Sequence, residues 1–175
     1  ILEKEVEGLQ VTLSSDIAPQ IREYPRTSTA SINAYATPFS LPYLKGLTDQ
    51  VKAKGSKLKP LIMLSNGGVI GAATAAVQPV RMIESGPAAG ALAASLLSKT
   101  YGVSDLISFD MGGTTAKACL IQGGEPLIAG EFEVDRRYRF KPGSGMPTTV
   151  PTVDMIEIGA GGGSIARVDD LGLMK

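Results

Sequence analysis

An α/β fold with a mixed sheet is what this sequence predicts, and three observations predict it. Short apolar runs ending in glycine or an acid alternate with longer runs of small and helix-forming residues, which is the strand–helix alternation of α/β chains. From Gly102 onward the helical runs stop and hairpin-like pairs of apolar runs follow. The chain has 175 residues and is 43% hydrophobic, enough to bury a core in one ordinary domain or two small lobes.

The elements follow in order. "ILEKEVEG" has the composition of a helix tail, with Gly8 as a left-handed cap. "LQVTLSS" places Leu9, Val11 and Leu13 on one side and predicts a half-buried strand. From "TSTASINAY" to "KAKG" the composition is helical, with Ser28 or Thr29 as the cap and Gly55 as the stop; Pro38 and Pro42 predict a kink or break, since each lacks a helix donor. "KPLIMLSNGG" predicts a short buried strand, Leu61 to Leu64, ending in a Gly-Gly turn, and "VIGAATAAV" a short helix. "ESGPAAGALAASLLSKTYG" predicts a helix with Pro87 in its first position and small residues suited to close packing. "DLISFD", "AKACLI" and "PLIAGEFEV" read as three strands, the last two joined by the "QGGE" turn. "DRRYRFKPGSGMPTTVP" reads as a loop, "VDMIEI" as a strand, "GAGGGS" as a glycine loop and "IARVD" as a strand leading away from it.

Composition excludes several functions. Lysine plus arginine and aspartate plus glutamate number 17 each, which argues against nucleic-acid binding driven by bulk charge. No apolar run nears the ~20 residues of a membrane span, and the opening stretch is charged, unlike a signal peptide. There is no histidine, so Ser-His-Asp, Cys-His and His-ligated metal chemistry cannot come from this chain. Cys119 is the sole cysteine, which rules out an internal disulfide or a Cys-cluster zinc site and fits a cytoplasmic protein. The chain starts without methionine and stops at "LGLMK", as an excised part of something longer would.

Chemistry concentrates in "FDMGGTTAK". An apolar strand delivers Asp110 to the end of a sheet. Gly112 and Gly113 permit positive φ and close backbone approach, successive amides in such a turn can cradle an anion, and Thr114 and Thr115 add hydroxyls. Asp110 suits Mg²⁺, directly or through water. The pattern fits a phosphate-plus-metal site and also an ordinary β-hairpin with a Gly-Gly turn. "IEIGAGGGSIA" repeats strand, glycine loop and strand; Gly161, Gly162 and Gly163 point to close approach of a ligand, a flexible loop being the alternative. "LSNGGV" fits a plain turn. Neither G-x-x-x-x-G-K-[ST] nor G-x-G-x-x-G is present. Asp154 and Glu157 are candidate ligands or bases, although strand alternation from Val153 sets them on opposite faces and suits a solvated surface. Glu84 suits an interlobe polar switch or the helix dipole. Cys119 belongs in the core. Arg136, Arg137, Arg139 and Lys141, interleaved with Tyr138 and Phe140, suit a solvated loop or a subunit contact.

"ESGPAAGALAA…LISFDMGGTTAKACLI" resembles the actin-like ATPase superfamily, with its ribonuclease H-like fold, where a small-residue helix between lobes leads into an acid–Gly–Gly–Thr phosphate hairpin. Over most of positions 10 to 169 the chain is similar to one branch, the hydantoinase A / oxoprolinase family. Five blocks carry that likeness, in order: "LSSDIAPQIREYPRTSTASINAY", "LIMLSNGG", "ESGPAAGALAA", "FDMGGTTAK" and "IGAGGGSIARVD". The resemblance implies an incomplete actin-like fold. Residues 1–83 would be the remainder of a first lobe, 84–101 the connecting helix and 102–175 the start of a second lobe. It implies a cytoplasmic hydrolase subunit using ATP and Mg²⁺ to open cyclic amides of the hydantoin or 5-oxoproline type by phosphorylating a carbonyl oxygen. Asp110 would be catalytic and hold the metal. Gly112, Gly113, Thr114 and Thr115 would bind phosphates, and Gly161, Gly162, Gly163 and Ser164 would line the nucleotide or substrate cleft. A second, hydantoinase B-like subunit is the implied partner, in an oligomer. Alternative roles are a subunit of an ATP-dependent ketone carboxylase, a non-catalytic nucleotide- or sugar-sensing module, and a purely structural lobe. Two departures stand out. The family's first phosphate hairpin precedes this chain, so the isolated fragment is expected to be inactive. Glu157 stands where many hydantoinase-type members have histidine, which leans toward the carboxylase-like branch.

Overall fold

The computed structural model describes residues 2–138 and 141–174, so Arg139 and Phe140 of the basic run lie outside the described residues. By packing, the chain divides into two compact units, residues 1–89 with 128–153 and residues 90–127 with 154–175. The lobe limits expected from sequence are sequential; these units are not, because 128–153 returns to the first.

The first unit is built on one long helix. Helices α1 (Leu2–Glu5) and α2 (Ser14–Ile17) precede α3, Glu23–Ala53, which runs unbroken for 31 residues. The strand expected over Leu9–Leu13 is absent, and Leu9, Val11 and Leu13 are exposed; an alternating pattern makes a strand only where an edge is available to pair with it. Helix α3 starts five residues before the expected cap, with Arg22 as an N-cap that makes no side-chain bond. It also runs through Pro38 and Pro42, contrary to the expected break. Both prolines are exposed, so the two lost backbone bonds fall on the solvent side. The opposite face, with Thr29, Ala30, Asn33, Thr37 and Leu44, is buried, and that packing outweighs the proline penalty. Asn33, 1% exposed, donates to the Val77 carbonyl at 3.1 Å and accepts from the Val80 amide at 3.3 Å. Gly55, at φ +83, closes the helix as expected, with Ser56 N donating to Val51 O.

The antiparallel hairpin β1 (Leu61–Met63) and β2 (Val69–Gly71) leads into α4 (Ala72–Val77) and a 3₁₀ turn, Pro79–Met82. Two apolar clusters fasten these pieces to α3: Ile17, Val80 and Val150, with Ile32, Ile83 and Phe132 against them, and Leu44, Ala75 and Ala76, with Leu41 and Ile62 among their neighbours. Ser65, fully buried after β1, joins three segments. Its hydroxyl donates to the carbonyls of Arg81 and Ile83, its amide donates to Arg81 O, and its carbonyl accepts from Val153 N.

The expected strand "PLIAGEFEV" is split into β5 (Glu125–Pro126), β6 (Ile128–Ala129) and β7 (Phe132–Val134), and the expected 135–151 loop contains β8 (Met146–Thr148). "VDMIEI" is likewise split, into β9 (Thr152–Val153) and β10 (Ile156–Ile158). Partners in different units account for the break after β5 and the break before β10: β6 pairs with β9 and β7 with β8 in the first unit, whereas β5 and β10 pair with β4 (Ala116–Gln122) in the second. In the β7–β8 connection Glu133 accepts from the amides of Gly143 and Gly145 at 2.6 and 3.1 Å and from Arg136 Nε at 3.3 Å. The Gly143 amide first, with the Gly145 amide and Arg136, holds its carboxyl below the usual range against a smaller opposing effect of burial. Arg137 and Lys141 lie 6.0 and 5.7 Å from the centre of the Tyr138 ring.

Helix α5, Ser85–Tyr101, begins two residues before the expected Pro87 start, after Glu84 at φ +67. In the second unit, β3 (Leu106–Met111), β4 (Ala116–Gln122) and β10 form a sheet in the order β10-β4-β3, with β5 also on β4 across the left-handed Gly123–Gly124 turn. Ser95 Oγ of α5 donates to Gly124 O. The "IARVD" strand is reduced to one bridge, Val168 with Met174. The fold class is α/β as expected, but the parallel pairing that would make a sheet mixed is absent: every pairing among the described strands is antiparallel. No described helix is long and apolar enough to cross a membrane.

Two outcomes follow. Ser65→Ala takes the hydroxyl donor from the Ile83 carbonyl, while the Arg81 carbonyl keeps the residue 65 amide, and should lower the unfolding free energy by about 1–3 kcal/mol in urea titrations; an unchanged midpoint would remove the Ser65 hydroxyl from its structural role. Glu133, with a lowered folded-state pKa, stabilises above its unfolded pKa, and that contribution is lost as pH falls through the folded value. Glu133→Gln should therefore be less stable than the native chain at pH 7, with the difference shrinking toward pH 3 in urea unfolding at both pH values.

Candidate functional site

The β3–β4 hairpin carries the candidate site, and its geometry follows from backbone bonds. Strand β3 pairs with β4 from Leu106↔Ile121 to Met111↔Ala116, and Gly112 N then donates to Thr115 O at 2.9 Å, leaving Gly113 and Thr114 at the exposed tip. The carbonyls of Gly112 and Gly113 accept from the amides of Gly162 and Gly163, at 2.9 and 3.2 Å. The two glycine stretches singled out in the sequence are therefore docked on each other. Gly161 is buried in this contact, and a Cβ there would lie 2.6 Å from Gly113 C and Thr114 N. The close approach expected of a ligand is, at Gly161, made by the chain's own hairpin. Ser164 closes the loop on itself: its Oγ accepts from Gly161 N at 3.0 Å and its amide donates to Gly161 O.

None of Gly112, Gly113, Gly161, Gly162 and Gly163 has positive φ, so the left-handed turn expected of the anion cradle is not what orients these amides. With the carbonyls of Gly112 and Gly113 committed to the second loop, the amides of Gly113, Thr114 and Thr115 have no acceptor among the described residues, nor do the Thr114 and Thr115 hydroxyls make a bond there. Three successive unmet amides and two hydroxyls at an exposed tip fit an anion with several acceptor oxygens.

Asp110 is exposed near the end of β3, directly opposite Lys117 on β4, and Lys117 is directly opposite Glu157 on β10. The three form one row on one face of the sheet, and Lys117 Nζ lies 3.7 Å from Glu157 Oε1. Glu157 thus belongs to the Asp110 row, while Asp154 lies before β10, where its amide donates to Leu127 O. Lys117 escapes a reading that looks for glycines and acids. Counting outward from the Gly113–Thr114 tip would have paired it with Asp110. Cys119 is in the core, as expected, where burial first and then nearby Asp154 push its thiol up. No group of three or more metal-ligating side chains occurs among the described residues. A divalent ion such as Mg²⁺ beside Asp110 would have this one carboxylate from the chain and would need phosphate oxygens and water for its other positions.

A family model described as hydantoinase/oxoprolinase matches residues 26–175. An uncharacterised protein of Methanocaldococcus jannaschii is 45% identical over 93% of the chain, which covers 24% of that protein. The caprolactamase subunit alpha of Pseudomonas jessenii is 34% identical over 91% of the chain and 22% of the relative. Among solved structures, nucleotide-free acetone carboxylase, from work on ATP-dependent acetone carboxylation, aligns with a TM-score of 0.72 at 29% identity, and the ATP-dependent caprolactamase of Pseudomonas jessenii with 0.71 at 31%. Each alignment covers 93% of this chain, and 21% and 22% of the respective structures. The chain thus spans about a quarter or less of the length of these relatives.

The docked loops separate two glycines that look alike in sequence. Gly161→Ala must push the hairpin away and should destabilise by about 1–3 kcal/mol. Gly113→Ala meets open space and should shift stability by no more than about 0.5 kcal/mol. Equal midpoints for the two variants in urea would show that the loops are not in backbone contact.

Proposed function

The chain belongs to the hydantoinase/oxoprolinase family, and from that premise we propose that it is the phosphate-binding part of an ATP-dependent enzyme subunit that opens cyclic amides of the hydantoin or 5-oxoproline type. One observation carries the reading: three successive amides without a chain acceptor at the tip of a hairpin whose carbonyls are turned away by a second glycine loop. The amides of Gly113, Thr114 and Thr115 and the two threonine hydroxyls hold phosphate oxygens, and the rigid pairing of β3 with β4 fixes where they stand. Gly112 orients the tip, and Gly161, Gly162, Gly163 and Ser164 brace it and border the nucleotide. Asp110 holds Mg²⁺, which when bound neutralises phosphate charge. Lys117 keeps a protein-borne positive charge in the same row. The chain's contribution is positioning and charge stabilisation, which is what phosphoryl transfer requires. Transfer of the terminal phosphoryl group of ATP to the carbonyl oxygen of the amide, with ADP as the leaving group, opens its carbon to attack by water; the ring C–N bond then breaks, the nitrogen takes a proton, and hydrolysis of the resulting acyl phosphate gives carboxylate and phosphate.

The names of the relatives support the rest. Caprolactamase subunit alpha and the acetone carboxylase beta subunit are parts of larger enzymes by name, so we assign the present protein a hydantoinase B-like partner subunit, in a cytoplasmic oligomer. A second reading, ATP-dependent carboxylation of a ketone, rests on the likeness to acetone carboxylase.

The test is ATP-dependent turnover of lactams, hydantoins and ketones by the protein carrying this chain, assembled with its partner subunit. Turnover of a cyclic amide supports the first reading, that of a ketone with bicarbonate the second, and Mg-ATP binding without turnover of any substrate would make the chain a sensor module. Asp110→Asn keeps shape and loses charge. It should retain near-native thermal stability, require more Mg²⁺ and turn over at least ~10²-fold more slowly. Full activity in that variant would return Asp110 to a structural role.

A further inference from the structure

Helix α3 presents an aromatic surface that the first unit leaves uncovered. Tyr35, Phe39 and Tyr43 follow one another at four-residue spacing, so they stand on one side of the helix. They are 77, 68 and 69% exposed, and the rings of Tyr35 and Phe39 have their centres 5.9 Å apart. From Thr27 to Leu44 no residue is charged, although the helix has a solvent side over this whole length. The solvent side of a helix ordinarily carries charged and polar residues. A charge-free stripe of exposed aromatic rings has instead the composition of a protein interface.

A hollow of about 530 Å³ adjoins the stripe. Ile32 and Tyr35 of α3, with Ile83, Val134 and Met146, supply its apolar walls, and Asp135 brings a carboxylate to it. All of these residues lie in the first unit. That chemistry fits a tyrosine side chain, with apolar walls for the ring and an acceptor for the hydroxyl.

Two features say what covers this face. The order of its side chains is self-complementary: Tyr35, Phe39 and Tyr43 read the same in both directions about Phe39. A two-fold axis through Phe39, across the helix, lays a second copy of α3 antiparallel on the first, with Phe39 on Phe39 and each Tyr43 opposite the Tyr35 of the other copy. The hollow runs beside residues 31–36, on the Tyr35 side of Phe39, which is where Tyr43 of the second copy arrives. Charge favours the same occupant. Two identical surfaces bring like charges together wherever they carry them, at a large cost. Here Glu23 and Arg26 lie before the charge-free stretch and Lys45, Asp49 and Lys52 after it, so the centre of the contact is spared.

We propose that this face is the contact between two copies of the protein, related by a two-fold axis at Phe39, with Tyr43 of each copy seated in the hollow of the other and its hydroxyl donating to Asp135. The contact lies in a different unit from the glycine hairpin, and neither it nor its test rests on the reading of that hairpin. Disulfide trapping in the protein carrying this chain tests it, with oxidised glutathione as the oxidant and the linked peptides identified by mass spectrometry. Phe39→Cys should give a 39–39 disulfide, which can form only between copies. A mixture of Tyr35→Cys and Tyr43→Cys proteins should give the 35–43 disulfide, and Lys52→Cys, away from the stripe, should give little product. Phe39→Glu sets two carboxylates against each other and should weaken self-association at least ~10-fold in analytical ultracentrifugation. Phe39 is exposed, so that variant should fold, and trapping decides where other contacts also hold the copies together. No 39–39 disulfide, or one no more abundant than the Lys52→Cys product, overturns the proposal. So does a Phe39→Cys thiol that is shielded from alkylation without cross-linking, because another part of the protein or a different subunit then covers the face.

Discussion

The candidate site depends on a contact between two stretches of bare backbone. Gly162 and Gly163 donate to the carbonyls of Gly112 and Gly113, and Gly161 lies so close to Gly113 and Thr114 that a methyl group has no room. A carbonyl and the amide that follows it point in roughly opposite directions across a planar peptide. Drawing the hairpin carbonyls into the second loop therefore turns the amides of Gly113 and Thr114 outward. The amides are set in place by what the other side of the same peptides is bonded to, and glycine is required mainly where the two backbones meet. Such a tip is preorganised: it presents donors that do not need to reorient when an anion arrives.

Charge is arranged around that tip with equal economy. Asp110, Lys117 and Glu157 lie on three neighbouring strands in one row, with the cation in the middle. Alternation of charge across a sheet removes the repulsion that two carboxylates would otherwise have, and it leaves Asp110 beside a positive group without a direct acid neighbour. The opposite face of the same strands carries Ile107, Phe109, Met111, Leu120, Ile156 and Ile158, all exposed, while the face that bears the charged row also bears buried Cys119 and Ile121 farther from the tip.

Much of this was legible in the sequence because it rests on local rules. The acid at a strand end, the glycine tip and the second glycine loop were all found by residue type, and the Gly55 and Gly123–Gly124 turns by their demand for left-handed backbone. What failed was non-local. Pro38 and Pro42 read as breakers because sequence does not say which side of a helix will face solvent, and there the missing donors are least harmful. Asp154 and Glu157 were set on opposite faces by counting from Val153, but the strand stops at Val153 and restarts at Ile156, so the count does not carry across. Lys117 was passed over although hairpin register pairs it with Asp110.

The split strands show the same limit from the side of packing. "PLIAGEFEV" and "VDMIEI" each have enough β propensity for one strand, yet each is divided where the chain passes from one compact unit to the other, at 127/128 and 153/154, the first having a further break between β6 and β7 inside the first unit. Propensity favours an extended backbone and is indifferent to the partner; the ladder needs a partner, and the partners lie in different units. Leu127 and Asp154, the second-unit residues at the two crossings, are bonded to each other through Asp154 N and Leu127 O, and one residue earlier Val153 N is bonded to buried Ser65. The extended chain is therefore held at consecutive residues by different units. A strand leaving β9 is committed to its direction before it reaches β10, and β10 ends where the glycine loop begins. What holds the chain at each crossing is therefore a backbone hydrogen bond, in parts of the sequence that carry no glycine and no recognisable motif.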